Sequence, residues 1–151
     1  MMKTLIATLA LTAAFTAVPL AFADEWVDYA PTKEPWTVTT VKVAPGKLDD
    51  YIIGLKKSYA DQLERQKKNG EVLDYHILVN TSPNAAGATI VFLTKYKDWN
   101  ALIPNKDRDL KEQDEFRKTI TKTDEEKMGE DRSKFRTFLD DGTYSDITYL
   151  K

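Results

Sequence analysis

The chain has 151 residues, with 22 basic and 24 acidic side chains, one histidine and no cysteine. The missing cysteine excludes a disulfide framework, a thiol nucleophile and a thiolate metal site. The balanced, mixed-sign charge gives no basic footprint for nucleic acid and no polybasic reason to sit on an anionic membrane.

The chain opens MMKTLIATLALTAAFTAVPLAFA. Lys3 supplies a positive start, residues 5–18 an uncharged apolar run, and Ala21-Phe22-Ala23 small residues at a peptidase site. This layout is that of a cleavable secretory signal peptide over residues 1–23. A retained span needs about 20 apolar residues, a length reached here only by running through Pro19. A lipoprotein anchor would need a cysteine. The expectation is export to a periplasmic or secreted location, with no stable membrane anchor after cleavage. Removing 23 residues, which carry one base and no acid, leaves 128 residues with 21 basic and 24 acidic groups, a net charge of −3. That length suits one domain.

Residues 24–35 hold prolines and aromatics without a period and are expected to form an extended N-terminal arm; residues 36–151 are expected to form the domain. Residues 36–43, WTVTTVKV, are rich in β-branched side chains and predict a strand. After Pro45-Gly46, the spacing of Leu48, Tyr51, Ile52, Leu55, Tyr59 and Leu63 predicts an amphipathic helix, closed by Asn69-Gly70. Gly54 inside it costs some helix propensity and points to close packing on the sheet. Residues 72–80 predict a second strand, with Tyr75 and Ile77 on one face and Asp74, His76 and Leu78 on the other. A turn, TSPNAAG, leads to a third strand over residues 88–96, apolar on both faces and therefore central.

A short helical piece, interrupted at Pro104, is expected to follow the third strand. Residues 106–128 predict a charged, solvent-facing helix with a break at Gly129. Residues 130–139 are expected to resume it, with Phe135, Phe138 and Leu139 buried. Asp141-Gly142 reads as a turn and residues 143–150 as the last strand. The order β-α-β-β-α-β specifies an α+β, ferredoxin-like fold: a four-stranded antiparallel sheet with its helices on one face.

The stretch VKVAPGKLDDYIIGLKKSYADQLERQKKNGEVLDYHILVN, followed by ATIVFLTKYKDWNAL, resembles the dimeric α+β barrel superfamily. The resemblance covers residues 36–103 and, more loosely, the last strand. It implies a homodimer in which the sheets of two protomers pack face to face. It also implies a wide choice of functions, from cofactor-free monooxygenases and isomerases to haem enzymes, so fold cannot choose among them.

Four residues are candidate ligand contacts. His76, the single histidine, could act as base or hydrogen-bond donor; its structural alternative is a hydrogen-bonded sheet residue. Haem-degrading relatives carry their histidine on a helix, so a strand position does not match that ligand. Lys42 shares the face of Trp36, Val38 and Thr40 and could hold an anion, or could snorkel at a strand end. Tyr96 and Trp99, flanking the end of the third strand, could stack on a flat ligand or cap the core. Tyr51 and Tyr59 read as core. Acidic pairs such as Asp49-Asp50 lie adjacent on a surface and do not converge. Asn80-Thr81-Ser82 is a formal glycosylation sequon, a frequent chance match. Nucleotide, serine-hydrolase and zincin motifs are absent, and no cofactor or metal is expected. The preferred reading is an exported homodimer binding a small apolar or aromatic ligand or a protein partner. The alternative is a cofactor-free monooxygenase or isomerase using His76.

Overall fold

The computed structural model describes residues 23–82 and 87–150. The expected signal peptide, but for its last residue, lies outside the described residues, as do residues 83–86 of the turn after the second strand. In chain order come β1 (Tyr29–Val43), α1 (Leu48–Leu55), α2 (Asp61–Lys68), β2 (Val72–Val79), β3 (Ile90–Tyr96), α3 (Lys106–Arg117), α4 (Lys122–Ser133) and β4 (Arg136–Tyr149). A π-helical turn, Lys56–Ala60, joins α1 to α2, and a 3₁₀ turn, Trp99–Leu102, follows β3. The strands form one antiparallel sheet in the order β2-β3-β1-β4. This is the ferredoxin-like arrangement expected from the element order, with β3 interior as its two apolar faces require.

Alternation assigns the faces. Val41 and Val43 of β1 and Ile90 and Phe92 of β3 point to the helices, where Tyr51 and Leu55 of α1 complete the buried core. Burying each such side chain is worth about 1.5–3 kcal/mol. Gly46 and Gly70, at φ +75° and +74°, take the left-handed turns into α1 and out of α2; a side chain there would be strained.

Several elements depart from expectation. The arm expected over residues 24–35 is strand from Tyr29 onward, pairing Tyr29 with Tyr149 and Pro31 with Ile147. Its prolines are tolerated because β3 joins β1 only from Trp36, so one edge of the earlier segment makes no ladder that needs their N–H. The charged segment is two helices. Asn105 and Thr121 accept from the backbone N–H groups of Arg108 and Asp124, both at 3.1 Å, and so start each helix afresh. Gly129 lies inside α4 and breaks nothing.

The helix expected over residues 130–139 ends at Ser133, and β4 already begins at Arg136. Phe135 packs against the core, whereas Phe138 and Leu139 are exposed. Leu139 is the extra residue of a bulge, since Val41 pairs with Phe138 and Thr40 with Asp140. Asp141-Gly142 is no turn. Gly142 sits in β4 opposite Val38, and a Cβ there would come within 2.9 Å of the Tyr144 ring. The glycine makes room for an aromatic ring. No helix among the described residues is long and apolar enough to cross a membrane.

Candidate functional site

The two faces of the sheet offer different chemistry. On the face away from the helices, cross-strand rows run Asp74–Lys95–Trp36–Tyr144 and His76–Leu93–Val38–Gly142, and a third joins Leu78, Val91, Thr40 and Asp140. His76, half-exposed, stacks on Trp36 with ring centroids 6.2 Å apart and planes 18° from parallel. Its Nε2 lies 3.5 Å from Asp74. The Lys95 ammonium sits 5.4 Å from the Trp36 ring and 3.1 Å from Asp146. Asp146 also accepts from Trp36 Nε1 at 3.0 Å. These two donors hold the Asp146 carboxyl below its usual range, Trp36 contributing most. Asp74 is held low in the same way by hydrogen bonds from Lys67 and from the Tyr75 backbone.

The four residues singled out from sequence are not brought together. Lys42 shares the open face with His76, but it lies four residues beyond Val38, roughly 13 Å along the strand and two strands across. Tyr96 is on the helix face, where burial pushes its phenol up and Thr37 hydrogen-bonds it. Trp99 begins the 3₁₀ turn past β3 and is half-exposed. Among the described residues, no three His, Asp or Glu side chains converge in a way that could hold a metal ion.

The helix face contains a cavity of about 250 Å³. Its apolar wall is Leu55, Phe92, Phe116 and Phe138, with the rings of Tyr51 and Tyr59. Ser58, Arg132 and Arg136 supply polar groups. The π-helical turn positions part of this wall: Asp61 N–H reaches back five residues to Lys56 O, which widens the helix and sets Ser58 and Tyr59 toward the sheet. Such insertions recur at functional sites. Tyr59 meets Phe92 edge-on at 4.9 Å and shares a 3.2 Å hydrogen bond with Thr94. Burial raises its phenol despite that bond.

Arg132, on the last turn of α4, donates through Nη1 to Gly54 O at 3.3 Å and to Ser58 Oγ. Ser58 in turn donates to Gly54 O at 3.1 Å. A Cβ on Gly54 would meet only Arg132 Cδ, at an ordinary contact distance of 3.9 Å, so the expected close packing of this glycine on the sheet is not seen. The Nε of Arg132 is buried with no partner. Arg136 reaches Tyr51 OH at 3.4 Å and lies over the Phe138 ring at 4.7 Å. Tyr51 and Tyr59 therefore belong to both core and cavity. Ser58, Arg132 and Arg136 had no signal in the sequence: the two arginines lie across a helix-to-strand junction that the sequence reads as continuous helix.

A second hollow of about 240 Å³ adjoins this cavity between α2 and α3, sharing Gln62, Phe116 and Glu125. Gln66 donates to Glu112 at 3.0 Å, and Arg65 lies over the Phe116 ring at 5.1 Å. Nearby, burial pushes the Glu71 carboxyl up to about 7, aided by a hydrogen bond to Glu112 and by its charge.

No protein-family model matches the chain. No curated protein matches it. Among solved structures it is similar to a Shewanella oneidensis protein, at 15% identity and TM-score 0.49, covering 80% of this chain and 98% of that one. It is also similar to a dimeric ferredoxin-like protein from an uncultured marine organism, at 11% identity and TM-score 0.46, covering 78% and 89%. A dimeric protein of unknown function and ferredoxin-like fold from Bacteroides fragilis aligns at 6% identity and TM-score 0.40, covering 80% and 99%.

Proposed function

We propose that the chain is an exported, homodimeric binding protein for a small aromatic molecule held between the sheet and its helices. The observation that carries this reading is the cavity of about 250 Å³ walled by Tyr51, Tyr59, Phe92, Phe116 and Phe138. A cavity of about 150 Å³ lined by apolar side chains accepts benzene, so this one has room for one or two rings. It falls short of the ~300–1,000 Å³ that larger ligands occupy. Titration with 2-naphthalenemethanol, an uncharged two-ring probe, tests the reading. Saturable binding is expected, weakened by Phe92→Ala; no binding at millimolar probe would refute it.

Homodimerisation is supported by the open face. Its centre is apolar, with Val38, Val91, Leu93 and Leu78, while two acids at its rim are already matched within the protomer, Asp146 by Lys95 and Asp74 by Lys67. An apolar centre with a polar rim is the usual anatomy of an interface. His76 lies on this face, across the sheet from the cavity. An oxygenase or isomerase built on His76 would therefore work between protomers; among the described residues, neither of the two hollows above is lined by His76.

Export is supported by the sequence and by one local contact: Asp24 N lies 2.7 Å from the Asp28 carboxylate. Cleavage after Ala23 turns that nitrogen into an ammonium facing its counter-charge. Intact mass of the protein from its native host should correspond to a chain starting at Asp24; mass corresponding to Met1 would count against export with cleavage.

A further inference from the structure

Resting on the cavity reading above, we infer that the ligand is an aromatic carboxylate, its ring among Phe92, Tyr59 and Phe138 and its carboxylate on Arg132 and Arg136. Two half-buried guanidiniums face one aromatic cavity. Among the described residues, no ion pair joins either arginine to a carboxylate. Glu125, which lines the same cavity, and Asp141, on the same face of the sheet, are engaged elsewhere. Glu125 lies 2.6 Å from Arg117, close but not aligned for a hydrogen bond. Asp141 accepts from Thr39 Oγ1 at 2.7 Å.

What Arg132 does bind is neutral: a carbonyl and a hydroxyl take Nη1, and Nε is buried unpartnered. Arg136 likewise meets a phenol and a ring face. A buried donor without an acceptor is destabilising, more so when charged. Burial and the neighbouring Arg136 also lower the proton affinity of Arg132, as expected of cations pressed together without a counter-ion. A carboxylate set against the pair supplies the missing charge, and the guanidinium fork suits it geometrically. The singly charged head fits better than a phosphate because the apolar walls must desolvate it.

The test uses the intact, unaltered protein first. Isothermal titration compares 2-naphthoate, 2-naphthalenemethanol and 2-naphthyl phosphate, which share a ring system and differ in the head group. The carboxylate is expected to bind at least about tenfold more tightly than the alcohol, in line with a charge-assisted bidentate contact. Arg132→Gln and Arg136→Gln should each bring the carboxylate-to-alcohol affinity ratio close to one, a ratio that a general loosening of the cavity wall would not change. Arg136→Lys, which keeps charge but loses the fork, should retain part of the preference. Equal affinity for carboxylate and alcohol, or tighter binding of the phosphate, would overturn the carboxylate assignment while the cavity reading stood. A preference that survives both Gln substitutions would overturn the assignment to these arginines. Failure of the uncharged alcohol to bind at millimolar concentration would overturn the cavity reading and this inference with it.

Discussion

Glu71 sits where α2 hands over to β2, with Glu112, Arg108 and Lys97 as its charged neighbours, and its carboxyl is raised from about 4.5 to about 7, chiefly by burial. Folding thus favours the protonated acid. The stability this group contributes is fully present below pH 4.5 and is lost as pH rises through about 7. Glu71→Gln keeps a neutral donor for Glu112 at every pH. It should raise the melting temperature at pH 8, by an amount worth roughly 1 kcal/mol once solvent screening is allowed for, and leave it nearly unchanged at pH 4.5. Equal shifts at both pH values in thermal melts would remove the protonated carboxyl from the account. Little of this could be read in the sequence, because a carboxyl pair 41 positions apart exists only after α3 has docked. Other single residues were legible: Gly46 and Gly70 at the turns, and Asp74 and His76 on one face, follow from backbone sterics and strict alternation. Arg132 and Arg136 were not, since their meaning lies in their having no ion pair among the described residues.

Among the elements, β2, β3 and residues 36–43 of β1 were legible because each carries enough β-branched or alternating apolar residues to specify its own face, whereas the proline-bearing start of β1 at Tyr29 read as an arm. The misreadings cluster from residue 104 onward. None of the residues of α3 or α4 is buried, so their packing leaves almost no apolar period in the sequence. They dock instead through polar and cation–π contacts, Gln66 to Glu112, Arg65 to Phe116, and Arg132 to Gly54 and Ser58. Such contacts depend on the partner's position and cannot be inferred from one segment. β4 was half missed for a related reason. Its residues alternate poorly, a bulge at Leu139 breaks the period, and its Asp-Gly pair imitates a turn. The π-helical turn left no mark either, because the apolar stripe through Tyr51, Leu55, Tyr59 and Leu63 fits an ordinary helix nearly as well. The consequence for the site is direct. The sheet wall of the cavity was visible as core, whereas its polar wall lies on the π turn and on the junction from α4 to β4, the two places where periodicity fails.

At the scale of the whole molecule, a four-stranded sheet with helices on one side leaves its other side to be covered. Here that side carries Leu78 and Tyr144, 49% and 52% exposed, around the half-buried Val38, Val91 and Leu93. The cavity and the open face lie on opposite sides of β1 and β3, so pairing through the open face leaves ligand entry unobstructed. Leu93 is central to that face, in the row of His76 and Val38. Leu93→Glu places an unpaired carboxylate where two sheets would meet, a change that costs several kcal/mol when the charge is buried and weakens association by about a hundredfold or more. In an isolated protomer the same side chain would reach water at little cost. Sedimentation velocity at micromolar protein should therefore show a dimer for the unaltered chain and a monomer for Leu93→Glu, with far-ultraviolet circular dichroism unchanged between them. A monomeric unaltered protein would refute pairing, and a variant that stays dimeric would move the interface off this face. Because the cavity is complete within one protomer, the monomeric variant should still bind 2-naphthoate, which separates assembly from binding.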